Sequence, residues 1–195
     1  MALQWQQYSG KWNLQTQGQA AGAFTWPGAV APPELYAWGR NTNGQLGLGD
    51  TTNRSSPVQV GALADWETLA GGKYWQLAIK TDGTLWAWGL AREGGLGQGN
   101  LTTYSSPVQV GALTTWSKIA AGYVHSLAVK TDGTLWSWGG GGNGQLGLGS
   151  TTNYSSPVQV GSLTTWYEVS ANFASSFAVK TDGTLWAWGT DNGAG

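Results

Sequence analysis

The sequence predicts an all-β protein: a β-propeller-type array of blades, each of about four antiparallel strands. Three observations predict it. A fifty-residue unit is written three times, from Leu35, Leu85 and Leu135, and a fourth copy begins at Leu185. Each full copy carries an Asp-Gly pair between two apolar runs, at 82–83, 132–133 and 182–183. Fourteen Trp and 32 Gly among 195 residues set large flat side chains beside residues that have none, which suits short strands, tight turns and closely approaching backbones. In such an array each unit buries its apolar surface against its neighbours and presents loops to the outside.

Residues 1–34 stand outside the repeat. They are rich in Gln (Gln4, Gln6, Gln7, Gln15, Gln17, Gln19) and carry Trp5, Trp12, Phe24 and Trp26. A short helix is expected around Leu14 to Ala23, weakened by Gly18 and Gly22. Pro27, Pro32 and Pro33 make the following stretch an extended linker, because proline blocks helix and central strand alike. The expected organisation is an N-terminal anchor with linker over 1–34, held by Trp5, Trp12 and Trp26. A repeat array then covers 35–195, divided as 35–84, 85–134, 135–184 and a partial 185–195.

Within a unit the strand signals come in order. Pro57 to Val60 reads as a short strand with Pro at its first residue, where a missing N–H is tolerated. A second strand is expected over Trp66 to Ala70. The run Leu77-Ala78-Ile79-Lys80 is a third. It leads through Thr81-Asp82-Gly83-Thr84 into Leu85-Trp86-Ala87-Trp88, the fourth. An Asp-Gly pair between two such runs predicts a type I′ hairpin, with positive φ at both central residues. Alternation sets Leu85, Ala87 and Gly89 on one face and Trp86 and Trp88 on the other.

Composition narrows the function. The formal net charge is −1, from nine basic and ten acidic residues, with no Lys/Arg run. A nucleic-acid binder needs a basic patch to neutralise phosphates, and a membrane-surface helix needs basic clusters, so neither reading has support. No apolar stretch approaches the ~18 residues needed to span a bilayer. There is no Cys and one His, which argues against disulfides, thiolate sites and His-based zinc sites. The start, MALQWQQYSGK, lacks the basic and apolar regions of a secretory signal, so synthesis and folding in a cytoplasm are expected. No catalytic, metal or cofactor constellation is present in the pattern, and the expectation is a protein that is not an enzyme.

Trp38, Trp88, Trp138 and Trp188 recur at one position and are expected to pack between blades, as are Trp66, Trp116 and Trp166. His125 stands where other copies have Trp75 and Ser175, without a carboxylate nearby in sequence, and reads as a structural hydrogen-bonding residue. The Ser-Ser pairs before Pro57, Pro107 and Pro157 read as turn residues. Gly94-Gly95-Leu96-Gly97 is a repeat loop, since no helix follows to make it a phosphate site. Scaffold positions must repeat, so the informative positions are those where the copies differ. These gather after the AWG strand and around Lys73-Tyr74-Trp75-Gln76. The partner-contacting residues expected from them are Arg40, Asn41, Lys73, Tyr74, Trp75, Arg92, Glu93, Tyr123, His125 and Phe173. Tyr and Trp are favoured at contact centres.

Together the motifs Trp38-Gly39, Gly44-Gln45-Leu46-Gly47-Leu48-Gly49, Pro57, Gly122, His125-Ser126-Leu127-Ala128-Val129 and Asp132-Gly133 resemble the repeat of the regulator of chromosome condensation family. The resemblance runs over 35–195 and implies a seven-bladed β-propeller. Members include a nucleotide-exchange factor on chromatin and bacterial inhibitors of β-lactamase. The exchange factor's basic tail and acidic loops have no counterpart here. The leader SGKWNLQTQGQAAGAFTWPG resembles leaders on tail and surface proteins of bacteriophages. The expectation is therefore a non-enzymatic structural or binding protein of a phage virion (tail, fibre or surface decoration), assembled in the host cytoplasm, with other virion proteins or a host surface molecule as partner. The alternative is a protein-binding inhibitor or adaptor. Three full periods fall short of the ~4–8 blades of a closed propeller. An open arc, a ring completed by other chains as a homo-oligomer, and a piece of a longer protein all fit that number.

Overall fold

A computed structural model describes residues 34–62 and 65–190, together with the backbone of 3–8 and 11–16. The chain divides into two compact units, Met1–Pro32 and Pro33–Gly195. In the first, β1 (Leu3–Tyr8) pairs antiparallel with β2 (Lys11–Thr16), setting Trp5 opposite Leu14 and Gln7 opposite Trp12. This corrects the helix expected from Leu14: the Trp12-x-Leu14 spacing is the period of a strand, and a partner strand lies at hand to take its backbone bonds. The rest of that expected helix, the proline linker and Trp26 lie outside the described residues.

In the second unit β3 (Tyr36–Gly39) pairs with β4 (Arg54–Gln59). A four-stranded sheet follows, made of β5 (Trp66–Gly71), β6 (Trp75–Lys80), β7 (Leu85–Gly89) and β8 (Tyr104–Gln109). The next sheet repeats it with β9 (Trp116–Ala121), β10 (His125–Lys130), β11 (Leu135–Gly139) and β12 (Tyr154–Gln159). The last contains β13 (Trp166–Ala171), β14 (Ser175–Lys180) and β15 (Leu185–Gly189). Every pairing is antiparallel, and none of these sheets closes on itself into a barrel. Sheets and sequence copies are out of phase. The Asp82-Gly83 hairpin joins β6, which ends one copy, to β7, which opens the next. Each four-stranded sheet thus ties two copies together.

That hairpin is real, but its turn differs from type I′. Gly83, Gly133 and Gly183 have φ of 77°, 76° and 83°, while the preceding Asp residues keep negative φ. Gly83 N–H donates to Lys80 O at 2.8 Å and Lys80 N–H to Thr84 O at 3.0 Å. This is a three-residue loop, a type I turn closed by a left-handed glycine. Asp82 Oδ1 accepts from Thr84 N–H (2.9 Å) and Thr84 Oγ1 (2.6 Å), so the side chain completes the turn that a second positive φ would otherwise have made. The thread continues: Trp86 Nε1 donates to Thr84 Oγ1 at 2.8 Å. Pro57 is also not at a strand start. It lies inside β4, at the register shift opposite Ala37/Gly39, where no ladder bond is asked of it.

Burial runs along the two inner strands of each four-stranded sheet, β6 with β7 and β10 with β11. Leu77, Ile79, Leu85, Leu127 and Leu135 are at or below 1% exposure, each stabilising by roughly 1.5–3 kcal/mol. Trp66, Trp116 and Trp166 are buried and meet Trp86/Trp88, Trp136/Trp138 and Trp186/Trp188 edge-on or tilted, at 5.9–6.4 Å between centroids. Lys80, Lys130 and Lys180 lay their ammonium groups 4.4, 3.6 and 4.0 Å above Trp86, Trp136 and Trp186. The apolar patterning thus fixes the blades, and the blades fix where the intervening turns stand.

Candidate functional site

Three turns of one kind meet at one end of the blades: Gly71 to Tyr74, Ala121 to Val124 and Ala171 to Ala174. Each is closed by the same bond, from Gly72 N–H to Trp75 O (2.9 Å), Gly122 N–H to His125 O (2.8 Å) and Asn172 N–H to Ser175 O (2.9 Å). The turns abut. A Cβ on Gly72 would stand 2.9 Å from Gly122 O, and one on Gly122 would stand 2.5 Å from Asn172 O. Glycine here lets neighbouring blades close up until the aromatic side chains that follow touch.

Those side chains form a row. Tyr74 and Tyr123 meet edge-on at 5.9 Å, and Tyr123 and Phe173 meet tilted at 4.4 Å. Lys73 Nζ donates to Tyr123 Oη at 2.8 Å and sits 4.1 Å above the Tyr123 ring and 4.9 Å above Tyr74. The Arg92 guanidinium lies 5.6 and 5.7 Å from the same two rings. Glu93 Oε1 stands 3.5 Å from Arg92 Nε, and Glu93 holds a φ of 52°, the one positive φ outside glycine among the described residues. Hydrogen bonding to Tyr123 and Tyr74 raises the Lys73 pKa, and bonding to Lys73 and Tyr123 lowers that of Tyr74. A shallow cavity of about 420 Å³ opens among the turns, lined in part by Lys73, Tyr123, Asn172 and Phe173.

Six of the ten residues expected to contact a partner, Lys73, Tyr74, Arg92, Glu93, Tyr123 and Phe173, therefore come together. Arg40 is exposed in the loop after β3, where its Nε donates to Thr42 Oγ1 at 2.9 Å. The other three belong inside. Asn41 is fully buried: its amide donates to Asp50 O, its Oδ1 accepts from Leu46 N–H at 2.9 Å, and its backbone N–H binds Asn53 Oδ1. It staples its own loop. Trp75 and His125 are also fully buried. They differ between copies because the packing around them differs, a cause that copy-to-copy variation alone does not separate from solvent exposure. Asn172, by contrast, was missed. A comparison of turn residues at fifty-residue offsets, as in the Lys73–Tyr123 bond, is the signal that finds it.

Trp75 and His125 perform one task. Trp75 Nε1 donates to Ser126 Oγ at 3.2 Å, and Ser126 Oγ donates to Gly95 O at 2.8 Å. One blade further, His125 Nε2 meets Ser176 Oγ at 2.9 Å, and Ser176 Oγ donates to Gln145 O at 2.7 Å. Because the Ser176 proton goes to the carbonyl, His125 Nε2 must carry the hydrogen, as the indole does. Burial lowers the His125 pKa to about 4, and Nδ1 has no partner among the described residues. The ring is a neutral donor, unfit to take a proton from Ser176. The structure places His125 as a buried hydrogen-bonding side chain between neighbouring blades.

The same economy joins blades through the AWG tryptophans. Trp88, Trp138 and Trp188 donate from Nε1 to Gln45 O (3.0 Å), Gly95 O (2.8 Å) and Gln145 O (2.9 Å) of the preceding copy's loop. Trp38 is the exception at 60% exposure. No carbonyl among the described residues accepts its N–H.

Three stretches, 34–79, 82–129 and 132–178, match the regulator of chromosome condensation (RCC1) repeat, and 116–145 also matches a second description of it. The chain belongs to the RCC1 repeat family. Solved structures agree on the fold. Human WBSCR16 is similar with a TM-score of 0.73 and 22% identity over 82% of this chain. Prp20p from Saccharomyces cerevisiae is similar at 0.66 and 20% over 82%. The complex of Kap60 with yeast RCC1 (Prp20) gives 0.69 and 17% over 91%. The matched regions span 44%, 40% and 48% of those chains, so this chain covers less than half of each.

Proposed function

We propose that this RCC1-repeat chain is a non-enzymatic binding protein that grips a protein partner through the blade end carrying Tyr74, Tyr123 and Phe173. The observation that carries the reading is the continuous aromatic row with Lys73 and Arg92 laid over it. Aromatic residues and Arg are enriched at the centres of protein interfaces, because they bring large contact area at low entropic cost. Prp20p, similar in fold, was described with its binding to Gsp1p and histones, which supports protein as the partner class. The donor role of His125 supports the absence of Ser-His chemistry at Ser176.

The leader over 1–34 supports a place on a phage particle, with the leader docked to the virion and the blades facing other virion proteins or a host surface molecule. An inhibitor or adaptor would use the same end face without the particle. Trp38 in the first sheet and Leu185 in the last are exposed, whereas Trp88 and Trp138, and Leu85 and Leu135, at the matching positions inside the array are buried. This supports further repeats or a second copy covering the outer sheets. The test compares incorporation into particles of the full chain, a chain lacking 1–34, and a Tyr123→Ala/Phe173→Ala variant. A virion component travels with particles and loses that with the leader. Equal incorporation by the chain lacking 1–34 removes the anchor, and a partner that still binds the double variant removes the end face.

A further inference from the structure

We propose that the end face is a seat for an acidic peptide, with a carboxylate held between Lys73 and Arg92 and a neighbouring apolar side chain against Phe173. The inference rests on the reading of this face as the contact surface and names the chemistry of what it contacts.

Charge comes first. Lys73 makes no ion pair among the described residues; its side-chain partners are tyrosine hydroxyls, Tyr123 Oη at 2.8 Å foremost. Arg92 shares only Glu93, at 3.5 Å, longer than the ~2.7–2.9 Å of a strong charge-assisted bond. Two cations therefore stand over one pair of rings with one loosely held carboxylate, a local excess of positive charge on a chain of net charge −1. A carboxylate brought to these rings meets both cations, and each attracts it. Among the described residues no group but Glu93 takes the Arg92 guanidinium donors.

The rings then decide between a peptide and a sugar. Sugars stack on open aromatic faces. Here Lys73 covers Tyr123 and Tyr74, Arg92 lies over both, and Tyr123 packs on Phe173. What stays open is Phe173, 52% exposed, beside the cavity that Ala121 and Ala171 also line. That is room for an apolar side chain next to a carboxylate, a combination that a peptide offers and a sugar acid lacks. Glu93 adds a further sign. It is held at φ 52°, where the matching Asn43 and Asn143 keep negative φ. Strain of this kind persists where surrounding structure imposes it, and it gathers at binding sites.

The experiment uses the 195-residue chain and two fluorescein-labelled peptides, Gly-Asp-Glu-Phe-Asp-Gly and its amide twin Gly-Asn-Gln-Phe-Asn-Gly, with tetragalacturonate as a competitor, read by anisotropy. The acidic peptide is expected to bind about tenfold more tightly than its twin. Lys73→Ala and Arg92→Ala are each expected to weaken it several-fold. Equal affinity for the twins, no binding of either, or indifference to Lys73→Ala and Arg92→Ala overturns the inference, as does competition by tetragalacturonate at a concentration equal to the peptide's. If the twins bind equally but Phe173→Ala abolishes both, the contact surface stands and the carboxylate seat falls. If no end-face variant alters peptide binding or partner capture, the surface itself falls too.

Discussion

A side chain on Gly95 would stand inside the ring of Trp75: a Cβ there would lie 2.7 Å from Cζ2 and 2.9 Å from Cη2. Gly95 has a φ of −57° and ψ of −17°, open to any residue, so the neighbouring ring and not the backbone requires glycine. One copy later Gln145 takes the place of Gly95, and His125 takes the place of Trp75. The hydrogen-bond relay through serine to the loop carbonyl is kept in both. Ring size and loop residue thus change together.

That pairing predicts a coupled cost. Gly95→Ala is expected to destabilise the chain by about 1–3 kcal/mol through overpacking. Trp75→His should be costly alone, for the cavity it leaves, and less costly beside Gly95→Ala. Urea unfolding midpoints of the two single variants and the double variant give the coupling. Strictly additive effects would mean that ring and loop are independent.

His125 predicts a pH window. Its pKa is about 4 in the fold because burial disfavours the charged ring, against about 6.5 in an unfolded chain. The unfolded state therefore binds the proton first as pH falls. The stability contributed by neutral His125 is complete above pH ~6.5, declines between ~6.5 and ~4, and is spent below, a loss on the order of 3 kcal/mol. The turn carboxylates Asp82, Asp132 and Asp182 are held low by their Thr hydrogen bonds, so their contribution is lost at more acidic pH, below the ordinary carboxylate range. His125→Gln should flatten the upper window and leave the lower one. An unchanged slope between pH 6 and 4.5 in the variant would mean that another group titrates there.

The blades were legible because their signals are local and repeated. Leu85-Trp86-Ala87-Trp88 after Asp82-Gly83 states a hairpin in seven letters, and the pattern is written three times. The turn type was misjudged because Asp82 closes the loop with its side chain, a choice that depends on Thr84 two residues on. The candidate site was half legible. Copy-to-copy variation pointed to Lys73, Tyr74, Tyr123 and Phe173, but the same variation at Trp75 and His125 reflects a buried ring-and-loop exchange. Sequence comparison cannot tell an exposed difference from a compensated one until Gly95 and Gln145 are seen across from those rings.

Gly133 and Gly183 separate strain from collision. Both have positive φ, 76° and 83°. A Cβ on Gly133 would collide with the backbone carbonyl of Thr164 in the next blade, whereas one on Gly183 meets nothing within 4 Å. Gly183→Ala should cost about 1 kcal/mol for the left-handed conformation alone. Gly133→Ala should cost clearly more, because neighbouring blades must part. Equal unfolding midpoints for the two would mean that the Thr164 segment yields freely.

Trp38 and Trp138 occupy one position in the repeat with opposite surroundings. Trp138 is fully buried and donates to Gly95 O at 2.8 Å, a carbonyl that Ser126 Oγ also reaches. Trp138→Phe removes the indole donor and part of the ring but leaves that carbonyl partnered, so a loss of about 1–2 kcal/mol is expected and not the larger penalty of an orphaned group. Trp38 is 60% exposed, and Trp38→Phe in an isolated chain should shift stability by less than about 0.5 kcal/mol. The two readouts diverge if a second copy or further repeats cover the first sheet. Sedimentation across a dilution series, run beside the unfolding curves, reads that directly. In a self-associating chain Trp38 regains a carbonyl partner like those of Trp88, Trp138 and Trp188, and Trp38→Phe weakens the oligomer while leaving the monomer's unfolding midpoint in place. A chain that sediments as a monomer at every concentration, with Trp38→Phe silent in both measurements, would show that a second copy does not cover Trp38.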